Sequence, residues 1–156
     1  MIPLSEKNGL KSASTTLTPS LKSAPVGVRQ ATLADVPALV LLEQQCFSTD
    51  RLTARRFKHY VTSQQAVLLV ATSAPPSMLV GYALLLLRRG TQLTRLYSIA
   101  VSPEARGSGV AARLITALEE QALQRGKPFM RLEVSIDNKG AIALYDRLGF
   151  SPFGMY

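Results

Sequence analysis

The spacing of hydrophobic and polar positions changes several times along the chain, and each change marks a predicted strand or helix. A short apolar pattern predicts a strand over residues 26–29, and a continuous apolar run predicts a buried strand over residues 66–71. A second run over residues 79–88 follows a Pro-rich loop, which indicates a hairpin. Residues 93–101 predict a further strand, on one face of which we expect Arg95, Tyr97, Ile99 and Val101.

Apolar residues recur at helical spacing in four other segments. Thr32 followed by Asp35 is close in form to a capping box and predicts the start of the first helix. Alternation of apolar and polar residues over 129–136 predicts one more strand. The remaining helices are predicted over residues 53–61, 107–125 and 139–148. The order β-α-α-β-β-β-α-β-α predicts a mixed α/β domain over residues 26–156.

Residues 1–25 are rich in Ser, Thr, Lys and Pro and show no periodicity, so we expect a flexible tail. They lack the apolar core of a secretory signal. The longest apolar run, residues 82–87, is far shorter than the roughly 20 residues that span a bilayer. We therefore expect a cytoplasmic protein without a membrane segment. The single cysteine, Cys46, excludes an intrachain disulfide and lies on the apolar side of the first helix, where we expect it to pack.

The chain carries a net charge of +8, which implies an anionic partner. A nucleic acid and a polyphosphorylated cofactor both satisfy this charge. Nucleic-acid binding is not favoured, because the sequence has no recognition motif and no aromatic residues interleaved with the basic ones. His59 is the only histidine, and without further metal-ligating residues around it we expect a surface residue and no metal site.

The most informative segment is the Gly-rich turn at residues 106–111, which joins a predicted strand to the long helix. The start of a helix presents free N–H groups and a partial positive charge, and glycines let a phosphate approach that backbone. The pattern Gly107-x-Gly109-x-x-Ala112 also fits the dinucleotide-binding fingerprint. However, only about 45 residues follow, too few for the parallel strands of that fold. A Walker loop is excluded because no Gly-Lys-Ser/Thr follows.

Two signatures in this region resemble those of the GNAT acetyltransferase superfamily. Arg106, Gly109 and Ala111 match motif A in order, directly after an Ile-Ala-Val-Ser-Pro segment. The second signature comprises Leu132-Glu133-Val134, Asn138, residues 141–145 and residues 148–150. The resemblance extends over residues 26–156 and is closest to bacterial enzymes that acetylate protein N-terminal amines, typified by the ribosomal protein S18 alanine acetyltransferase. It implies an α/β (α+β) acyl-CoA N-acyltransferase fold, with a mixed central sheet and a splayed strand pair.

The resemblance also implies acetyl-CoA as cosubstrate and a role for each site residue. Tyr145 corresponds to the acid that protonates the leaving thiolate, or else its ring packs beside the cofactor. Glu133 corresponds to the base; a salt bridge with Arg131, or a water chain that replaces the base, is the alternative. The backbone of Ile99, Ala100 and Val101 is expected to pair with the pantetheine arm, and Asn138 to bond the pantetheine or the phosphate end. The pyrophosphate is assigned to Arg106, Gly107, Ser108, Gly109, Val110 and Ala111.

The implied acceptor is a primary amine, first of all the N-terminal amine of a protein or peptide. A small-molecule amine such as a polyamine or aminoglycoside is the alternative within the enzyme class, and a non-catalytic acetyl-CoA-binding module is the alternative outside it. The loop at residues 47–53 contains Asp50 and Arg51 but no Trp, unlike the S18-type enzymes. Six residues follow Phe150, too few for the family's C-terminal hairpin. A fragment of a longer protein and a homodimer that completes the sheet are both consistent with this.

Overall fold

A computed structural model of the chain describes residues 2–8 and 26–152, with side chains for the second range. Its centre is a six-stranded sheet of order β1-β6-β5-β4-β3-β2 with helices on both faces. From Val26 onward the predicted order of elements is confirmed. The strands are β1 (Ile2–Asn8), β2 (Val26–Gln30), β3 (Ala66–Ser73), β4 (Leu79–Leu86), β5 (Leu93–Val101) and β6 (Phe129–Val134). The helices are α1 (Val36–Cys46), α2 (Ala54–Thr62), α3 (Val110–Gln124) and α4 (Lys139–Arg147).

The sheet is antiparallel from β2 to β5 and parallel only between β5 and β6. The parallel pairing extends from Leu93↔Phe129 to Arg95↔Arg131 and then stops, although β5 continues to Val101 and β6 to Val134. The crossover helix α3 joins these two strands, as a parallel connection requires. The splayed strand pair that the sequence resemblance implies is therefore present, and it opens toward the end of β5.

Two apolar cores lie on opposite faces of the sheet. Alternate residues of β3 supply both, since Val67 and Leu69 pack with α3 and α4 while Leu68 and Val70 pack with α1 and α2. Every one of the first six residues of β3 is buried, which explains why the sequence shows a continuous apolar run there.

Helix α3 approaches the sheet most closely over Gly81 in β4. A Cβ atom at Gly81 would lie 3.0 Å from the Ala100 carbonyl oxygen and 3.1 Å from Cγ1 of Val110. Val110 is the first residue of α3, so the missing side chain lets the start of this helix settle against the end of β5. Gly81 thereby fixes where the Gly-rich turn stands relative to the splayed strands.

One sequence prediction about β5 is wrong. The register against β4 shifts between the pairs Leu84↔Ser98 and Leu85↔Leu96, which leaves Tyr97 as an extra residue. Tyr97 lies on the side of α2, whereas Ile99 and Val101 pack against the core beneath α3 and α4. The four residues expected on one face are thus divided between two, because a bulge inverts the alternation that follows it.

The first residues of the chain also differ from the prediction. Ile2–Asn8 form β1 and pair antiparallel with β6, from Ile2↔Val134 to Asn8↔Phe129, where a flexible tail was expected. Main-chain pairing with an open sheet edge needs no apolar periodicity, which is why composition gives no sign of it. Residues 9–25 lie outside the described residues, so the expected tail stays a prediction there.

The end of the chain leaves two expectations open. Residues 153–156 lie outside the described residues, and the incomplete C-terminal hairpin and the homodimer therefore stay predictions. None of the helices within the described part of the chain is long and apolar enough to cross a membrane.

Candidate active site

The Gly-rich turn has the geometry of an anion cradle. Gly107 and Gly109 both have φ of 82°, a left-handed conformation that side chains disfavour. The first hydrogen bond into α3 is donated by the Arg113 amide to the Gly109 carbonyl, at 3.1 Å, and none of the described groups accepts a hydrogen bond from the amides of residues 107–112. A Cβ atom on either glycine would meet none of the described heavy atoms within 4 Å. The space in front of these amides is open, and the residues present fit a bound diphosphate.

Arg106 anchors this turn to two other elements. Its Nε donates to the Val101 carbonyl at 3.2 Å, and its terminal nitrogen lies 3.8 Å from Sγ of Cys46. The Cys46 thiol donates to the same carbonyl at 3.4 Å, and Cys46 is half-buried against the core, as expected. The Ser108 hydroxyl donates to the Ala105 carbonyl and tightens the turn from within. Arg106 therefore ties the cradle to the end of β5 and to α1.

The end of β5 presents main-chain groups to the open side of the sheet. The Ser102 amide donates to the Val80 carbonyl of β4 at 2.8 Å, and the register pairs Ala100 with Tyr82. In an antiparallel ladder this alternation directs the amide and carbonyl of Ala100 at β4, and those of Ile99 and Val101 away from it. Of the three residues assigned to the pantetheine arm, Ile99 and Val101 thus face the splayed region, while the main-chain groups of Ala100 face β4.

A cleft of about 250 Å³ occupies the gap between β5 and β6. It exists because the two strands part after Arg95 and Arg131, and α4 closes one end of it. The Asn138 side chain accepts a hydrogen bond from the Ala141 amide at 3.1 Å, which caps α4. The cleft brings together residues from β5, β6 and α4 that are distant in sequence. Its walls include Phe47, Tyr97, Ser98, Ile99, Glu133, Ser135, Asn138 and Tyr145.

Tyr145 places a buried ring beside an accessible hydroxyl. The residue is 6% exposed, and its ring packs edge-on against Phe150 at a centroid distance of 5.8 Å. Burial raises the pKa of the Tyr145 hydroxyl, so it keeps its proton at neutral pH. Within residues 26–152 no fully buried side-chain oxygen or nitrogen lacks a partner, and no hydrogen bond is formed by this hydroxyl, which therefore opens onto the cleft. A neutral phenol in this position can donate a proton.

Glu133 lies across the cleft from Tyr145. Its neighbours in β6, Leu132 and Val134, are buried in the core beneath α3 and α4, so Glu133 points to the opposite face and is exposed. The alternative of a salt bridge with Arg131 is not formed, and the only ion pair that residues 26–152 define joins Arg29 and Asp35. The Glu133 carboxylate is therefore exposed at the cleft.

Sequence analysis missed a buried polar network behind the β5 wall of the cleft. Glu43 of α1 is 2% exposed and accepts hydrogen bonds from the Tyr82 hydroxyl at 2.6 Å and from the Leu52 amide at 2.7 Å. The Tyr82 hydroxyl also lies 2.7 Å from Oγ of Ser98, which lines the cleft. Burial first, and then the hydrogen bond to Glu43, raise the pKa of Tyr82 well above its usual range. The one available signal was Glu43 four residues after Leu39, on the apolar side of α1.

Two further sequence predictions concern metals and His59. His59 is exposed on α2 and packs edge-on against Tyr60 at 5.3 Å. The described residues contain no group of three or more His, Cys, Asp or Glu side chains that could hold a metal ion. The predicted surface role of His59 agrees with this geometry.

A splayed parallel strand pair beside a Gly-rich turn that opens a helix defines the class of acyl-CoA-dependent acyltransferases. The sequence matches the acetyltransferase (GNAT) family over residues 37–150, and the chain belongs to that family. The family moves acetyl groups from acetyl-CoA, and the free amides of the turn together with the open strand gap fit that molecule.

The chain also resembles individual proteins over part of their length. It is similar to an uncharacterized N-acetyltransferase of Methanocaldococcus jannaschii, with 41% identity over 59 residues that cover 38% of this chain and 26% of the relative. The chain thus matches about a quarter of that relative's length.

Two solved structures share the fold. The ribosomal-protein-S18-alanine N-acetyltransferase of Escherichia coli has a TM-score of 0.73 and 23% identity, covering 83% of this chain and 80% of that one. An aminoglycoside 6'-N-acetyltransferase of Acinetobacter baumannii has a TM-score of 0.72 and 20% identity, covering 85% of this chain and 96% of that one. These identities establish the fold alone, and the two relatives are named for acceptors of very different kinds.

Proposed function

We propose that this chain transfers the acetyl group of acetyl-CoA to a primary amine, namely the N-terminal amine of a protein or peptide, by direct attack in a ternary complex. One observation carries the proposal: the cleft between β5 and β6 has Glu133, Tyr145 and Ile99 on its walls. The anion cradle of α3 stands at the open end of the same strands. A diphosphate held there leaves the reactive end of the molecule directed into the cleft.

The groups on the cleft walls match the three needs of acyl transfer. Glu133 accepts a proton from the acceptor ammonium, directly or through a water, which frees the nitrogen lone pair for attack on the thioester carbon. A backbone amide of β5 near Val101 stabilises the oxyanion of the tetrahedral intermediate. Tyr145 donates its proton to the departing thiolate as the carbon–sulfur bond breaks, and the second proton lost by the acetylated nitrogen restores the phenol, directly or through water. The products are an N-acetylated acceptor and free coenzyme A.

The composition of the cleft supports a peptide acceptor over a polycationic small molecule. Glu133 is the only carboxylate among the described residues that line it. Polyamines and aminoglycosides carry several positive charges, and their recognition calls for several acidic groups. A single carboxylate in an otherwise uncharged wall suits one terminal amine.

The proposal is tested by calorimetry with acetyl-CoA, followed by acetyl transfer to a library of peptides with free N-termini, read by mass spectrometry. We expect acetyl-CoA binding and an acetyl group on the N-terminal nitrogen. Spermidine and kanamycin serve as comparison acceptors. A folded protein without affinity for acetyl-CoA would overturn the enzyme assignment. Acetyl transfer to spermidine or kanamycin with no transfer to any peptide would contradict the proposal that the acceptor is a peptide N-terminus.

A further inference from the structure

The face of the cleft toward α2 carries a cluster of arginines and tyrosines that the catalytic steps do not use. One terminal nitrogen of Arg56 donates to the hydroxyls of Tyr60 and Tyr97, each at 3.0 Å. The Arg95 guanidinium lies over the Tyr97 ring, 5.5 Å from its centroid. Tyr97, the extra residue of the β5 bulge, lines the cleft and joins the arginines to it. The acceptor-side arginine cluster is defined here as Arg56, Arg95 and Arg131.

Arg131 belongs to the same surface by register. It pairs directly with Arg95 at the last parallel pair, and it alternates with Met130 and Leu132, which are buried on the opposite face. Arg131 and Glu133 therefore share one face of β6 and are separated by about 7 Å along the strand. The cluster thus borders the carboxylate that is proposed to receive the amine.

Among the side chains that the structure describes, the cluster has no neutralising partner within salt-bridge distance. None of its three guanidinium groups forms a salt bridge with a carboxylate of residues 26–152. Adjacent like charges repel, and a surface that holds them together attracts an anion. The hydroxyls of Tyr60 and Tyr97 hold the Arg56 guanidinium in place, which reduces the entropy that an anionic ligand must overcome.

The cluster is also too distant to serve the diphosphate. Arg95 precedes Val101 by six residues in β5, a separation of about 20 Å along the strand, and the cradle begins beyond Val101. We therefore expect the anion that binds the acceptor-side arginine cluster to belong to the acceptor. The site is dipolar, with Glu133 for a positive amine and three arginines for a negative group beside it.

The spacing of the two charges distinguishes between acceptors. In a free α-amino acid the carboxyl carbon lies only about 2.5 Å from the amine nitrogen. This distance is much shorter than the separation of about 7 Å between the α carbons of Arg131 and Glu133. An extended peptide advances about 3.5 Å per residue, so a side chain at its second or third position reaches the required distance. Resting on the proposed function, we propose that the acceptor is a peptide N-terminus followed by an acidic residue at position two or three, whose carboxylate is bound by the acceptor-side arginine cluster.

The test compares three peptides that differ only after the first residue: Ala-Glu-Glu, Ala-Gln-Gln and Ala-Lys-Lys, each with the same neutral remainder. We expect kcat/KM to be about tenfold higher for the Glu peptide than for the Gln peptide, and lowest for the Lys peptide. The preference weakens as salt is raised. R56Q, R95Q and R131Q each reduce kcat/KM for the Glu peptide toward that of the Gln peptide and leave acetyl-CoA affinity unchanged. R147Q, an equal charge change on exposed α4, is the control and alters neither.

Binding is measured separately from turnover, by fluorescence anisotropy of labelled, N-terminally blocked versions of the peptides in the presence of coenzyme A. Tighter binding of the Glu peptide that R95Q removes supports the inference even if no amine is acetylated, an outcome that overturns the proposed function alone. Equal rates for the three peptides, or variants that slow all three equally, overturn the inference while the proposed function stands. A preference for free glutamate, or displacement of the Glu peptide by a short RNA at lower concentration than by unlabelled peptide, overturns it as well.

Discussion

The Tyr82 hydroxyl donates a hydrogen bond of 2.6 Å to the carboxylate of Glu43, deep between the sheet and α1. Glu43 comes from the first helix and Tyr82 from the middle of the sheet. The same carboxylate accepts from the Leu52 amide, so it also holds the loop between α1 and α2. A buried carboxylate with two donors is stable, whereas one deprived of a donor is costly.

Replacing Tyr82 with Phe is expected to lower the free energy of unfolding by about 2 kcal/mol, because Glu43 then loses a partner in a site that water does not reach. Chemical denaturation of the two proteins provides the measurement. S98A removes only the outer member of the network and serves as the matched comparison, with a smaller loss. Equal stability of the Tyr82→Phe and parent proteins would contradict the structural role of this hydrogen bond.

Replacing Tyr145 with Phe is expected to lower kcat about 100-fold and to leave acetyl-CoA affinity nearly unchanged, because the ring still packs on Phe150 while the proton donor is gone. Burial raises the pKa of Tyr145, so the parent keeps its proton and stays active well above neutral pH. Steady-state kinetics and calorimetry separate the two quantities. An equal fall in affinity and turnover would show that Tyr145 only packs.

For Glu133→Gln we expect slow turnover at neutral pH and recovery at high pH, where the amine loses its proton without help. The pH–rate profile of the variant should therefore shift to higher pH relative to that of the parent. Asp137→Asn changes a nearby exposed carboxylate by the same chemistry and should leave the profile in place. If the pH–rate profile of Glu133→Gln is unchanged, water and not Glu133 deprotonates the acceptor amine.

Replacing Gly109 with Ala is expected to destabilise the turn by about 1 kcal/mol, because φ at this position is 82°. The cradle then moves, and acetyl-CoA affinity falls about tenfold. Gly140 offers a matched control, since it lies in α4 without a positive φ and a Cβ there meets no described atom within 4 Å. Gly140→Ala should be neutral or stabilising. If calorimetry shows unchanged acetyl-CoA affinity in Gly109→Ala, the Gly-rich turn does not bind the diphosphate.

The bidentate contact between Arg29 and Asp35, with both distances 2.8 Å, lowers the pKa of Asp35 to about 2. The unfolded chain, with an Asp pKa of about 4, takes up the proton first as the pH falls. The contact therefore makes its full contribution to the stability of the folded state above about pH 4. This contribution is lost as the pH falls toward 2. It amounts to about 1 kcal/mol, since Arg29 is half-exposed. Thermal unfolding of Asp35→Asn should differ from the parent at pH 6 and converge with it near pH 2.

The glycine turn and the second signature could be found in the sequence because both depend on local chemistry. A glycine pair before a helix indicates free amides wherever the rest of the chain lies. The acceptor-side arginine cluster could not be found in the same way. Arg56 and Tyr97 are 41 residues apart and meet only because α2 lies over the face of the sheet that carries Tyr97.

By itself the sequence determined the order of strands and helices from Val26 onward, the Gly-rich turn and the residues that match the family signatures, since each follows from spacing and residue type over a few positions. Only the tertiary structure decided which face each half of β5 presents, that Glu133 stands free of Arg131, and that Glu43 is buried against Tyr82. These depend on one extra residue in a register and on side chains brought together from distant segments. Short-range periodicity carries no information about either.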